Sequence, residues 1–293
     1  MKVAFVDFWD GFDPKRNFFT GLFSTITPIE VVSAGECDVL VFSCFGVENR
    51  SFMDKKRIFY TGENLRPNYD SHYTNHRGLR VGKCDYSFTF DFSDDPRNIR
   101  VPLWLLQIDW FNERGYGNPQ FVVPHSQLND NHLIKRERTE FCSFVFNSTA
   151  PHRYEMIEEL SKYKKVDCFG KPHQNWFYGE DNKLLTISKY KFNICFENSI
   201  HPGYYTEKPI HAKYAGCVPV YWSDAGMGND FNADAFLNLN DFDGVKQLCE
   251  RIIELDNDPA QYQALRNQPM FKPEQDPMLM LHSITEQVKK IFL

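Results

Sequence analysis

The sequence has no C-x-x-C pair, no G-x-x-x-x-G-K-[ST] loop and no complete G-x-G-x-x-G turn after a strand. The first absence removes the usual zinc and dithiol frameworks, and the other two disfavour P-loop enzymes and dinucleotide oxidoreductases. Gly115-x-Gly117 and Gly226-x-Gly228 are incomplete fragments of such loops. Cationic excess is missing as well: 33 Lys and Arg stand against 39 Asp and Glu, a net charge of -6. A general nucleic-acid binder is therefore disfavoured, and an anionic ligand would need a local cationic site. No apolar run approaches the roughly 18 residues of a spanning helix, and the opening MKVAFVDFWDGFDP is too short in apolar residues for a signal peptide. There is no internal repeat and no low-complexity tract. The expectation is a soluble, cytoplasmic chain whose eight cysteines are reduced packing residues, most of them in apolar runs such as Ile194-Cys195-Phe196.

What is present is a globular composition, 42% hydrophobic and 25% charged over 293 residues. That length favours two domains. Short apolar runs at residues 2–8, 28–32, 38–42, 57–60, 140–146, 166–170, 192–196 and 218–222 alternate with longer segments carrying Gly and Pro. This is the rhythm of parallel sheets with crossover helices. Asp85 to Phe90 alternates polar and apolar residues, which predicts a strand with one open face. Turn residues and low apolar density mark 113–139 as an interdomain segment between domains at 1–112 and 140–275. Leu281, Ile284, Val288 and Ile291 share one face of a closing helix over 276–293. Lys289 and Lys290 give that helix a membrane-surface alternative.

In parallel sheets, ligands bind beyond the carboxyl ends of the strands, so polar residues just after strands carry the interest. Glu63 follows the run at 57–60 and Gly62; a carboxylate in a cleft can be tuned toward a general base. Arg153, near a helix start with Ser148 or Thr149 as cap, offers a bidentate partner for an anion. Lys208, in Thr206-Glu207-Lys208 at the start of another helix, suits a diphosphate. Position alone weighs these cations equally as anion ligands and as ordinary surface ion pairs, and it reads Glu207 as a first-turn helix residue. Asp241-Phe242-Asp243 and Asp256-Asn257-Asp258 match the carboxylate-x-carboxylate pattern of a divalent-cation site, yet both lie at helix ends, where capping is the stronger reading. No metal ligand is assigned. Asn49 and Asn147 head N-x-S/T sequons that matter only in a secretory compartment.

The segments F-N-I-C-F-E-N-S (Phe192 to Ser199), Y-Y-T-E-K (Tyr204 to Lys208) and C-V-P-V-Y-W (Cys217 to Trp222) closely resemble the donor-binding motif of the α-1,3/4-fucosyltransferases, glycosyltransferase family ten. R-I-F-Y-T-G-E-N (Arg57 to Asn64) and P-N-Y-D (Pro67 to Asp70) are similar to the N-terminal motif of bacterial members. The resemblance implies the α/β GT-B fold, two Rossmann-like domains with parallel sheets facing a central cleft. It also implies GDP-fucose as donor and inversion at the fucose carbon. By the same matching, Glu63 takes the role of general base. Arg153, Asn198, Tyr204, Glu207 and Lys208 become donor contacts, with Glu207 also favouring positive charge on the fucose ring. Trp9, Asp10 and Phe12 in the loop after the first strand, with Asn64, are the acceptor candidates.

The expected reaction is transfer of L-fucose to the 3-hydroxyl of a GlcNAc-type residue in a cell-surface, Lewis-type glycan such as a lipopolysaccharide O-antigen. Its partners are a nucleotide sugar and an oligosaccharide acceptor, with peripheral association at the inner membrane. No cofactor is required, and free Mn²⁺ or Mg²⁺ would help product release without a dedicated site. The alternatives are a GT-B enzyme with another nucleotide-sugar donor and a non-catalytic glycan- or nucleotide-binding protein. The sequence departs from the family pattern in lacking the heptad repeats and basic amphipathic tail of the best-known bacterial relatives and the membrane anchor and stem of the animal Golgi enzymes.

Overall fold

Valine, isoleucine and phenylalanine dominate the first strands, as expected where a sheet is covered on both faces. The computed structural model describes residues 1–64, 84–111, 122–125, 128, 137–170 and 183–293. These fall into two compact units, one of residues 1–122 with 277–293, the other of residues 123–276. The P-N-Y-D motif and most of the expected interdomain segment lie outside the described residues.

The first unit holds β1 (Lys2–Val6), α1 (Phe18–Ser24), β2 (Glu30–Val31), β3 (Val39–Phe42), β4 (Lys56–Thr61), β5 (Tyr86–Thr89) and β6 (Asn98–Arg100). They form a six-stranded sheet in the order β2-β1-β3-β4-β5-β6, every pair parallel. All the strands therefore end at one edge. Asn17 starts α1 with a capping box: its side chain accepts from the backbone of Phe19 and Thr20, while Thr20 Oγ1 accepts from the Asn17 N–H. The helix then buries Phe18, Phe19, Leu22 and Phe23. Gly21 is required there, because a Cβ would lie 2.3 Å from Phe111 Cδ2.

The open face expected for β5 is absent. Ser87, Phe88 and Thr89 are all buried, because β5 lies between β4 and β6 and the hydroxyls find internal partners, Thr89 Oγ1 donating to Asn98 Oδ1 at 2.9 Å. Polar alternation here reflects buried hydrogen bonding and not solvent. The apolar stretch after Val101 is a 3-10 turn at Leu103–Gln107 followed by β7 (Ile108–Asp109). The C-terminal helix belongs to this unit. It buries Leu281, Ile284, Val288 and Ile291; Phe292 packs edge-on against Phe23, and Lys56 Nζ donates to the Ile291 carbonyl.

After β8 (Val123–Pro124), the second unit runs β9 (Glu140–Val145), α2 (Pro151–Ser161), β10 (Val166–Phe169), α3 (Lys183–Ile187), β11 (Tyr190–Ile194), α4 (Lys208–Tyr214), β12 (Val218–Tyr221), β13 (Leu237–Asn238), α5 (Val245–Asn257) and α6 (Pro259–Arg266), and α7 (Pro277–Phe292) is the C-terminal helix already described. Its sheet has the order β10-β9-β11-β12-β13, again entirely parallel. Phe144, Phe192, Ile194, Val218 and Val220 pack against Met156 and Leu160 of α2 and Leu248, Ile252 and Leu255 of α5.

The helix α2 differs from expectation at its start. Ala150 is the N-cap, with no side-chain hydrogen bond from Ser148 or Thr149, and Pro151 opens the first turn. Proline supplies the preset φ without needing the missing cap. The aspartates of the two carboxylate triplets serve structure where their contacts are resolved. Asp256 accepts from Tyr163, Lys164 and Lys191, and Asp258 caps α6 through the Ala260 and Gln261 N–H groups.

Candidate active site

In the second unit, the residues following β9, β11 and β12 converge at the carboxyl edge of the sheet. Arg153, on the first turns of α2, is almost wholly buried. Its guanidinium lies near the Phe144 and Phe146 rings and donates to four oxygens: Ser148 O at 3.0 Å, Phe196 O at 3.1 Å, Glu197 O at 3.4 Å and Asn198 Oδ1 at 2.8 Å. Two of the expected donor residues, Arg153 and Asn198, are thus in direct contact.

Lys208 opens α4. Its ammonium donates to Glu197 Oε2 at 2.7 Å and to Thr206 Oγ1 at 2.8 Å. Burial works against this charge, but Glu197 and Glu207 outweigh it and hold the ammonium above its ordinary range. Glu207, next to it, is opposed by burial in the same way. Lys208, Lys183 and His211 prevail and keep its carboxyl well below the usual carboxylate range. Lys183 Nζ lies 3.7 Å from Glu207 Oε1 and 3.0 Å from His211 Nδ1. Tyr204 is buried behind a turn in which Gly203 adopts φ +83° and the Tyr204 N–H reaches the His201 carbonyl.

Two members of this constellation carried no role in the sequence reading. Glu197, fully buried, accepts from Thr206 N, Thr206 Oγ1, Lys208 Nζ and Tyr221 OH. The Thr206 N–H, just before α4, is therefore already taken. Lys183, 24 residues before Glu207, lies in a stretch of sequence with no local signal. The only sequence signal for Glu197 is its place directly after the apolar run 192–196, where a carboxylate that becomes buried demands partners.

The first unit presents a second set at the carboxyl edge of its own sheet. Asp7, directly after β1, has φ +60°, a left-handed conformation that aspartate tolerates. Its carboxylate accepts from Glu48 N, Asn49 N and Asn49 Nδ2, tying down the loop after β3. Gly46 lets that loop approach, because a Cβ would meet Asp7 Oδ1 at 2.3 Å. Trp9 and Phe12 are half-buried in an aromatic cluster: Trp9 contacts Phe8, Phe12, Phe45 and Tyr60. Asp10 is exposed, and Asn64 is buried.

Glu63 is half-buried just beyond β4, where its N–H donates to Thr61 Oγ1 at 3.0 Å. Burial pushes the Tyr60 hydroxyl far above its usual range and the Cys44 thiol up to about 11, and the Glu63 charge adds to both effects. Glu63 thus stands among groups that remain protonated, beside the aromatic cluster. Among the described residues, no group of three His, Cys, Asp or Glu side chains could hold a metal ion.

Residues 3–107 match the family description "Alpha-(1,3)-fucosyltransferase FucT N-terminal domain", and residues 134–268 match "Glycosyltransferase family 10 (fucosyltransferase) C-term". The Helicobacter pylori alpha-(1,3)-fucosyltransferase FucT is 29% identical over 228 residues, covering 69% of this chain and 44% of that protein. The human 4-galactosyl-N-acetylglucosaminide 3-alpha-L-fucosyltransferase is 34% identical over 160 residues, covering 53% of this chain and 43% of the relative. The chain thus spans less than half the length of these curated relatives. A solved structure of an alpha1,3-fucosyltransferase with GDP-fucose superposes with a TM-score of 0.69 at 25% identity, over 99% of this chain and 89% of the other. The fold is GT-B, built from two Rossmann-like parallel α/β units, and the chain belongs to glycosyltransferase family 10, the fucosyltransferases.

Proposed function

We propose that the protein is a GDP-fucose-dependent α-1,3-fucosyltransferase that inverts configuration at the fucose carbon. The observation that supports this best is the pair Arg153 and Lys208, two cations fixed at the carboxyl edge of the second sheet. Such a pair suits the charge of a nucleoside diphosphate, and the solved relative carries GDP-fucose.

In one displacement, an acceptor hydroxyl oxygen attacks the anomeric carbon while the bond from that carbon to the β-phosphate oxygen breaks. The leaving electron pair departs with GDP, whose charge Arg153 and Lys208 meet. The hydroxyl proton passes to Glu63. Glu207, kept ionised by its cationic neighbours, binds the fucose and favours positive charge on its ring. Asn198 and Tyr204 complete the donor contacts.

Trp9 and Phe12 offer apolar ring faces to a sugar, with Asp10 and Asn64 as its polar partners. The acceptor in this reading is a GlcNAc-type residue of a Lewis-type, lipopolysaccharide-like glycan. The reaction belongs to the cytoplasmic face of the inner membrane, with free Mn²⁺ or Mg²⁺ aiding GDP release.

Glu63→Gln keeps the shape of the side chain and removes its basicity. It is expected to bind GDP as the wild type does and to lose transfer by about two to four orders of magnitude. Turnover of GDP-fucose on an acceptor panel, with the product linkage read by NMR, checks both parts. Wild-type-like turnover would remove Glu63 as the base, and preference for GDP-mannose or a UDP-sugar in calorimetry would change the donor.

A further inference from the structure

Glu197 follows β11, and its side chain is wholly buried. Its carboxylate receives Thr206 N at 2.9 Å, Thr206 Oγ1 at 2.8 Å, Lys208 Nζ at 2.7 Å and Tyr221 OH at 2.8 Å. Its backbone carbonyl receives Arg153 Nη2 at 3.4 Å. One residue therefore touches both cations, the lysine through its side chain and the arginine through its main chain.

We propose that Glu197 is a positioning residue of the donor site, whose buried carboxylate ties down Thr206 and holds Lys208 ready for the diphosphate while its carbonyl fixes Arg153. This rests on reading the second unit as the site of the GDP-sugar.

Folding alone does not call for such a group. A buried ion pair can often be replaced by apolar residues without loss of stability, because desolvation offsets the attraction. What an apolar substitute cannot do is orient an ammonium. Lys208 has three N–H donors. One is directed at Glu197 and one at Thr206, so the direction of the third is set, and among the described residues it has no partner. Arg153 and Lys208, both cationic, also repel each other, so Arg153 works against protonation of Lys208. Glu197 offsets that repulsion before any phosphate arrives. A site whose cations are already placed loses less entropy on binding, which favours affinity.

The other charged groups facing Lys208 are Glu207 and, beyond it, Lys183. With Glu197 neutralised, Lys208 keeps one carboxylate against two cations. Its proton is then lost at lower pH than in the wild type.

The test is calorimetric titration of GDP into the wild type, Glu197→Gln and Thr206→Val, each at several pH values from neutral to alkaline. Glu197→Gln is expected to weaken GDP binding about tenfold or more, close to 1.4 kcal/mol per decade. Its affinity should also fall away at a lower alkaline pH than that of the wild type. Thr206→Val, which removes one bridging hydroxyl and keeps the Thr206 N–H, is expected to weaken binding about threefold to tenfold.

A purely structural Glu197 would lower the melting temperature while leaving the GDP affinity of the folded protein and its pH dependence unchanged; that result overturns the proposal. Should Glu197→Gln not fold, unchanged affinity in Thr206→Val overturns it equally. Wild-type protein that binds no GDP removes the donor-site reading and this inference with it. Wild-type binding with unchanged variants removes the inference alone.

Discussion

Arg153 Nη2 donates to Asn198 Oδ1 at 2.8 Å across 45 residues of sequence, joining the start of α2 to the loop after β11. The guanidinium also satisfies three backbone carbonyls. A lysine there keeps the charge but has neither the planar fork nor the reach for all four acceptors. Arg153→Lys is therefore expected to weaken GDP binding by about tenfold to a hundredfold, equivalent to roughly 1.4–2.8 kcal/mol. Calorimetric titration checks this, and an affinity within a factor of two of wild type would contradict it.

Lys183 stands against both Glu207 and His211. Burial drives its own pKa downward, with Glu207 pulling the other way. Lys183→Met removes one of the cations that keep Glu207 ionised. The Glu207 carboxyl pKa then rises, so the acid limb of the transfer-rate profile moves to higher pH. Because Lys208 and His211 remain, a fall in kcat/KM of about twofold to fivefold toward the acid end of the profile is expected, with smaller loss at pH 8. A profile parallel to that of the wild type would show that Lys183 does not act on Glu207.

Asn49, the head of one sequon, is fully buried. Its Nδ2 donates to Asp7 Oδ2, and its Oδ1 accepts from Arg57 Nη2 at 2.6 Å. No glycan can reach it in the folded protein. In a glycosylating host, mass spectrometry of folded protein should find Asn49 unmodified. Asn49→Ala takes the Oδ1 acceptor from the buried Arg57 guanidinium, while Asp7 keeps the Glu48 and Asn49 N–H groups, and it should cost about 1–3 kcal/mol in denaturant unfolding. A loss under 1 kcal/mol would mean that water replaces the amide.

Lys213 on α4 is buried, and its ammonium donates to the Arg266 carbonyl at 2.7 Å. Burial, with the Arg266 charge, pushes its pKa down to about 8 from an ordinary 10.5. Between those values the unfolded chain holds a proton that the folded chain lacks, so stability rises with pH across that window. Relative to Lys213→Met, the wild type should gain about 2–3 kcal/mol between pH 8 and 10.5. Chemical denaturation of both at pH 7.5 and 10 measures the difference, and equal changes would place the ammonium in water.

Much of the fold was legible because its signals are local. The β-branched and aromatic runs from Lys2, Val39, Arg57, Phe192 and Val218 are strands wherever such runs are buried on both faces, and the four apolar positions of the last helix recur at helical spacing. Position after a strand drew attention to Glu63, Arg153 and Lys208, because parallel sheets direct their carboxyl ends to one edge. The alternation at β5 misled for the complementary reason: its polar residues are satisfied by neighbours on another strand.

Taken alone, then, the sequence determined the parallel α/β character of both halves and, through the F-E-N-S and T-G-E-N segments, the family. Tertiary structure decided which charges meet. Glu197 read as one loop residue among several until folding brought Thr206, Lys208 and Tyr221 onto its carboxylate from nine, eleven and 24 residues away. Lys183 gained a role only beside Glu207. A buried charge is tolerated only with partners, and nothing in a linear string fixes which distant side chains will supply them.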